Sequence, residues 1–390
     1  MIKDGDLGAV YGSGFCCCLH CAGQERGVLM NSKRRNVGLD VCRILSMIGI
    51  VLIHVVDVGG ALGAGLKDYS IGYWTAEWVF ICACCSVDIF AMMSGYLGIN
   101  KSKNTCFRSL ELIAIVLFYS VLITVLLLIF MPAKITGIKD VIKGLLPPLV
   151  GRYWYITCFI PVMILQPFIN KMLLCLSEKQ HGMLSILQIL LFSCLPSVIP
   201  VDFFRFEGGY SFAWLLSLYT IGAYLGRVKV DGKFKFLKKY AALIFLGTSF
   251  VLLFGNILVA HVVGKNHNYM VCYTSPLVLL MSVCVLLALA DKKWKAHGKV
   301  LEKVSAVTFD VYIIHGHVLI YDTILAGSFA WIYGLAWYWI PVVCVGCAIA
   351  IFAICTLIGL LRAALFRLVR GEKGIAKLSG KIDKLIYTEA

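Results

Sequence analysis

Charged side chains are scarce in this sequence, at 15% of its 390 residues, against about 25% in soluble domains. Hydrophobic residues reach 60%, where about 45–50% is usual. Strands of alternating apolar and polar residues, as in a membrane β-barrel, are lacking, because the apolar runs are long and unbroken. The P-loop, the dinucleotide-binding glycine pattern and the HExxH zinc helix are also missing. What is left is an all-α, polytopic membrane protein.

A membrane-spanning helix needs about 20 mostly apolar residues. The sequence predicts ten such helices, at 39–57, 77–99, 109–131, 153–173, 183–200, 209–226, 240–262, 271–290, 303–325 and 338–361. We interpret 39–361 as one transmembrane domain and 362–390 as a basic cytoplasmic tail. The 17 cysteines fall mostly inside apolar runs, which favours small hydrophobic packing residues over a disulfide framework.

The positive charges follow the predicted loops. With the N-terminus in the cytoplasm, 28 of the 36 Lys and Arg residues lie on the cytoplasmic side and 7 outside, while Arg43 lies within the first helix. This bias predicts cytoplasmic N- and C-termini. We expect the protein in the plasma membrane. The net charge of +15 is thereby explained without a nucleic-acid partner. The loop 132–152 departs from this pattern, because it is predicted to lie outside and yet is rich in basic residues. This suggests that it contains a re-entrant or interfacial segment.

The N-terminal segment 1–38 is predicted to be an extension ending in a basic cytoplasmic stretch. Residues 1–29 have neither a basic start nor the apolar core of a signal peptide. Met30 begins the run Met-Asn-Ser-Lys-Arg-Arg, which is typical of a cytoplasmic N-terminus. We therefore expect translation to begin at Met30 and residues 1–29 to be a start-site artefact.

The first predicted helix carries ionisable residues, which are costly inside a membrane and mark functional sites. At about 100° per residue, the eleven steps from Arg43 to His54 end roughly 20° past three full turns, so both side chains share one face. They are about 16 Å apart along the axis. Asp57, three residues after His54, is placed to orient the imidazole and stabilise its charged form. A packing role for these residues is the alternative.

Four short segments, in order along the chain, carry a family resemblance. The segments are Gly38–Arg43 followed by His54, Val87–Leu97, Trp154–Ile156 and Phe309–His315. Together they resemble the motifs of the acyltransferase-3 family of integral membrane proteins. The sequence departs from that pattern at Ala91, where many members have an aromatic residue. It also has Glu111 three residues after Arg108, where many members have a second arginine.

The resemblance implies ten helices and an O-acyltransferase. Such an enzyme moves an acyl group, most often acetyl, from cytosolic acyl-CoA to a hydroxyl of an extracytoplasmic or lipid-linked glycan. It implies acyl-CoA as donor substrate, with the bilayer and a glycan acceptor as partners and no permanently bound cofactor. We expect no metal, because the short cluster Cys18–Cys21 has no second pair of ligands to match it. Arg43 and His54 correspond to the family's essential pair. A proton-coupled transporter or a lipid-linked sugar flippase is the alternative function.

Further candidates for binding donor or substrate are Asp88, Ser94, Arg108, Glu111, Trp154, Tyr155 and His315. Asp88 lies inside the second helix. Ser94 points about 120° away from the helix face that carries Asp88. Ser94 and Gly95 also suit a close approach between two helices. Glu111 is expected to pair with Arg108 or with a neighbouring helix.

The ninth predicted helix has two polar faces. Asp310, His317 and Tyr321 share one face, whereas Thr308, His315 and Asp322 share the other. The family resemblance favours His315 as the functional histidine of this helix.

Overall fold

A computed structural model describes residues 36–63, 69–99, 106–135, 137–146, 148, 151, 153–199, 201–228, 230–263, 270–290, 292 and 298–387. Every regular element in these ranges is helical, as the all-α prediction requires. The extension 1–35, with the predicted start at Met30, lies outside the described residues. The thirteen cysteines within the described ranges are all free, which agrees with their interpretation as packing residues.

The α-helices, with their bounds, are α1 Val37–Val56, α2 Ile71–Gly98, α3 Phe107–Phe130, α4 Ile138–Leu145, α5 Trp154–Cys175, α6 Glu178–Ile189, α7 Leu195–Val198, α8 Phe212–Arg227, α9 Val230–Lys233, α10 Lys235–Lys239, α11 Ala241–Val263, α12 Pro276–Ala290, α13 Lys299–Ala306, α14 Thr308–His315, α15 Val318–Ile320, α16 Ile340–Leu368 and α17 Gly371–Tyr387. Turns of π-helix follow α6 and α15, at Leu190–Cys194 and Tyr321–Leu325.

Seven helical segments in the described ranges are long and apolar enough to cross a membrane: α1, α2, α3, α5, the segment from α6 through α7, α11 and α16. A bent helix pair, 308–315 with 318–334, becomes an eighth if it is one span. α12 is apolar but shorter. The chain is thus a membrane protein by the length and composition of its helices, and the count of ten stays a prediction.

Glycines allow α2 and α8 to pack closely. A methyl group on Gly95 would collide with the backbone carbonyl of Tyr219, and one on Gly222 with the carbonyl of Met92. Small residues let helix backbones approach in this way. The alternative reading of the Ser94-Gly95 pair, as a site of close helix approach, is therefore confirmed for Gly95.

The ninth predicted helix is not continuous, and the prediction of a single helix over 303–325 was wrong. α14 ends at His315 with Gly316 as its C-cap, and the chain resumes at α15 with a 55° bend. The His317 backbone is extended, and its side chain accepts a hydrogen bond from the Leu319 amide at 3.3 Å. A side chain that caps a new helix in this way favours a break over continuation.

The discordant loop 132–152 contains the short helix α4, which packs against α3 and α15. The carbonyl of Gly144 lies 3.0 Å from Nε2 of His317. A methyl group on Gly144 would crowd Thr124 and Leu319. The loop is thus attached to the bend between α14 and α15.

The C-terminal part also differs from the predicted boundary at 361. α16 continues to Leu368, and Arg362, which we placed in the tail, is buried within it. α17 packs against α3 and α16. Its Asp383 accepts a hydrogen bond from the Cys106 amide at 2.7 Å, which satisfies a donor at the start of α3.

Candidate functional site

Arg43 lies near the N-terminal end of α1 and contacts α13. Its Nη1 donates to the Ser305 hydroxyl at 3.0 Å and to Oδ1 of Asp40 at 3.5 Å. Ser305 in turn donates to Oδ1 of Asp40 at 2.7 Å. These bonds aim the guanidinium toward the segment that leads into α14. Ser305 was not predicted, because nothing in its sequence context distinguishes it from other small polar residues.

His54 lies at the other end of α1 and faces the bend after α14. Its ring centroid is 5.0 Å from that of His315, with the two planes at 49°. It is 5.2 Å from the Tyr321 ring, which it meets edge-on at 89°. Arg43 and His54 therefore both face the segment 305–321, and the prediction that they share one face of α1 is confirmed.

Asp57 does not orient His54. The Nδ1 atom of His54 is buried without a hydrogen-bond partner, and the Asp57 side chain is exposed. Asp57 is the C-cap residue of α1, and its backbone N–H still bonds the Ile53 carbonyl, so its helical placement holds but brings no hydrogen bond to Nδ1 of His54 among the described residues. The predicted pairing of the two side chains was wrong, although both line the same cavity.

This outer cavity has a volume of about 570 Å³, within the range of small-molecule sites. It reaches the surface, because Asp57, Glu207 and Tyr210 are exposed parts of its wall. The wall is rich in aromatic rings and contains two carboxylates. The aromatic residues are Trp154, Tyr210, Tyr273, Tyr312 and Tyr321.

A second, inner cavity continues from His54 along α1 toward Arg43. Its wall includes Met47 and Ile50, which lie between the arginine and the histidine on the same face. Its volume is about 20 Å³, room for about one water molecule. Phe90 and Phe309 meet in its wall with ring centroids 5.1 Å apart and nearly perpendicular planes.

The two cavities share five wall residues: Ile53, His54, Trp154, Tyr273 and Tyr312. His54 is thus the histidine at the junction between a wide cavity open at the C-terminal end of α1 and a narrow one lined by Met47 and Ile50. A group of this kind, reachable from two sides, can transfer a proton between ligands that enter separately.

Trp154 and Tyr155 begin α5, where the structure places both at the cavities. The Trp154 ring stacks on the Tyr273 ring with centroids 5.8 Å apart, and its centroid is 4.6 Å from that of Tyr210. Tyr155 lines the inner cavity, and its buried hydroxyl has no partner. Their predicted role in binding is compatible with these positions.

His315 lies behind His54. Its Nδ1 is 2.5 Å from the Val311 carbonyl, and its Nε2 is buried without a partner. His315 and Tyr321 both contact His54, although a continuous helix would have put them on different faces. The bend at Gly316 brings them together.

Asp88 and Ser94 lie on α2 away from both cavity walls. Asp88 is fully buried and accepts a hydrogen bond from the Trp214 indole at 3.3 Å. The Ser94 hydroxyl donates to the Phe90 carbonyl of its own helix at 3.3 Å. The contact within α2 accounts for Ser94, whereas Oδ2 of Asp88 is buried with no hydrogen-bond partner among the described residues. The predicted role of both residues in binding stays a prediction.

Arg108 and Glu111 lie in the first turns of α3. Arg108 is exposed and Glu111 half-buried. No salt bridge joins the two in the part of the chain that the structure describes, although Glu111 lies within electrostatic reach of both Arg108 and Arg362. Neither residue lines either cavity, so their predicted role in binding the acyl donor also stays a prediction.

Several wall residues were missed at the sequence level. Tyr210 and Tyr273 precede α8 and α12 outside any regular spacing, and Glu207 lies in a short 3₁₀ turn. Tyr312 was part of a quoted motif but was not selected. Tyr210 and Tyr273 fell at the first residues of the predicted helices 209–226 and 271–290, and nothing in the sequence distinguished them from other aromatic residues at helix ends.

Comparison with known families gives one match. The family model described as an acyltransferase domain, of the acyltransferase-3 type, matches residues 36–359, which is well over half of the chain. Searches among curated proteins and among solved structures found no match. The matched range contains all the candidate site residues, and the chain belongs to the acyltransferase-3 family.

Proposed function

We propose that this protein is an O-acyltransferase of the plasma membrane. It moves an acyl group, acetyl in the first instance, from cytosolic acyl-CoA to a hydroxyl of an extracytoplasmic or lipid-linked glycan. Family membership supports acyl transfer as the reaction class. The donor, the acceptor and the membrane are parts of the proposal.

The position of His54 carries this proposal. It lies at the junction of the two cavities, on the same face of α1 as Arg43 and about 16 Å further along the axis. An enzyme that joins substrates from opposite sides of a bilayer needs a reacting group that both can reach. The charge pattern of the loops supports placing the Arg43 end in the cytoplasm.

On the donor side, Arg43 is suited to hold an anionic group of acyl-CoA. A guanidinium presents several N–H donors in a fixed plane, and Arg43 uses Nη1 for Ser305 and Asp40. The predicted topology puts the basic loops 227–239 and 292–303 on the same side of the membrane as Arg43, where their charges would attract the phosphates of CoA. The pantetheine arm would run along Met47 and Ile50 toward His54, and the inner cavity must widen for it, because it now has room for about one water molecule.

On the acceptor side, the outer cavity suits a sugar. Aromatic rings such as Trp154, Tyr210 and Tyr273 offer flat apolar faces with polar edges. Asp57 and Glu207 supply carboxylates that accept hydrogen bonds from hydroxyl groups.

His54 then acts as general base. It takes the proton of the acceptor hydroxyl as the oxygen attacks the thioester carbonyl, and returns it to the departing CoA sulfur. Transfer through an acyl-histidine intermediate is the other order of events.

The test uses membranes from a deletion strain that carries either the wild-type protein or a variant. We expect His54→Ala to abolish transfer of radiolabel from [¹⁴C]acetyl-CoA to surface glycan, with an unchanged amount of protein in the membrane. His261→Ala, an exposed histidine on α11, is the matched control. Wild-type labelling by His54→Ala would refute the proposal.

A carrier remains the alternative, since the break between α14 and α15 is of the kind that transporters place at binding sites. Sealed vesicles distinguish the two functions. Release of free CoA that depends on His54 supports the enzyme. Flux of a sugar-lipid without acyl-CoA, unaffected by His54→Ala, supports the carrier.

A further inference from the structure

We infer that His315 is the positioning residue of His54: its Nε2 accepts the Nδ1–H of His54 and so holds Nε2 of His54 toward the acceptor hydroxyl. This inference rests on the proposed function and assigns to His315 the task that the sequence suggested for Asp57.

The tautomer of His315 follows from its hydrogen bond. The Val311 carbonyl, 2.5 Å from Nδ1, can only accept, so Nδ1 carries the proton. In the neutral ring Nε2 then holds a lone pair. That atom is buried and has no partner. His315 is therefore a hydrogen-bond acceptor without a donor.

His54 also has a buried ring nitrogen that lacks a hydrogen-bond partner. This nitrogen is Nδ1. A histidine acting as base through Nε2 must carry its proton on Nδ1, and a buried N–H without an acceptor is costly. Asp57 does not fill this place, because its side chain is exposed at the cavity wall.

The two rings are close enough for one bond to satisfy both atoms. Each ring nitrogen lies one ring radius from its centroid, so a centroid separation of 5.0 Å brings two facing nitrogens within hydrogen-bond distance. The planes are tilted by 49°, and a rotation of the His54 ring aligns the pair. Catalytic hydrogen bonds commonly tighten in this way when substrate binds.

The step balances without an additional reagent. The acceptor O–H proton moves to Nε2 of His54 while the oxygen forms its bond to the thioester carbon. The C–S bond breaks, and the sulfur leaves as CoA thiol with the proton from Nε2. Throughout, the Nδ1 proton of His54 stays in the bond to His315, which stabilises the transient imidazolium. His315 itself gains no proton.

Three substitutions test this assignment. For each variant, the rate of label transfer is measured in membranes at varied [¹⁴C]acetyl-CoA concentration, and the amount of protein is measured by immunoblot. His315→Phe keeps a ring but removes the acceptor, and we expect kcat to fall about 10²-fold with KM for acetyl-CoA within about threefold of wild type. His315→Gln offers an amide oxygen near the position of Nε2, and we expect kcat within about tenfold of wild type.

His317→Gln is the matched control. His317 is also buried, but its two nitrogens bond Gly144 and Leu319, so its loss should lower the amount of protein and leave kcat per molecule unchanged. Recovery of kcat by glutamine at 315 but not by phenylalanine supports the inference. Equal kcat in His315→Phe and wild type overturns it, as does an equal loss in the glutamine and phenylalanine variants. Failure of the proposed function is distinct, since His54→Ala would then keep its activity.

Discussion

Arg362 donates hydrogen bonds to both carboxylate oxygens of Asp310, from Nε at 2.7 Å and from Nη2 at 2.9 Å, with both side chains buried. Tyr119 donates a third bond to Oδ1 of Asp310 at 2.8 Å. The cluster joins α3, α14 and α16. It also holds the start of α14, the helix that ends at His315.

Arg362→Met should destabilise the protein by about 3–5 kcal/mol, because it leaves the Asp310 carboxylate buried without its cation. The measurement is thermal unfolding of the purified protein in detergent. Arg367→Met is the control, since Arg367 is exposed and bonds only the Ala363 carbonyl of its own helix. Equal unfolding temperatures for the two variants would contradict the assigned role of the cluster.

Arg43→Lys should raise KM for acyl-CoA roughly tenfold or more, because hydrogen bonds to charged groups contribute about 1.5–3 kcal/mol and an ammonium does not reproduce the guanidinium plane. Initial rates at varied acetyl-CoA concentration measure the effect. Ser305→Ala removes a partner of Arg43 but keeps the guanidinium, so a smaller change is expected. A wild-type KM for Arg43→Lys would show that the donor binds elsewhere.

Asp57→Asn should weaken binding of the glycan acceptor rather than slow the chemical step. The side chain lines the outer cavity and does not touch His54, so we expect KM for extracted surface glycan to rise roughly tenfold through the lost charge-assisted bond. The kcat at saturating glycan should stay close to wild type. A fall in kcat with unchanged KM would restore Asp57 as the orienting group.

Gly95→Ala should separate α2 from α8 and destabilise the protein by about 1–3 kcal/mol, because the added methyl group collides with the Tyr219 carbonyl. Gly247→Ala provides the comparison, since a methyl group there meets nothing within 4 Å. Thermal unfolding in detergent measures both variants. If Gly95→Ala unfolds at the temperature of Gly247→Ala, the close packing of α2 and α8 is not needed for stability.

The amino-acid sequence is enough to predict the membrane character, the all-helical class and the shared face of Arg43 and His54. These features follow from local quantities: apolar runs long enough for a bilayer and a fixed rotation per residue within one helix. The family motifs likewise lie within single segments, and the family match covers them.

The side chains that complete the site could not be identified without the packing of the helices. Helical periodicity places residues around one axis and fails where the axis changes, as at the Gly316 bend. Beyond such points, position depends on packing between distant segments. That packing brings His315 and Tyr321 to His54 and gathers Tyr210 and Tyr273 from separate loops into one cavity wall.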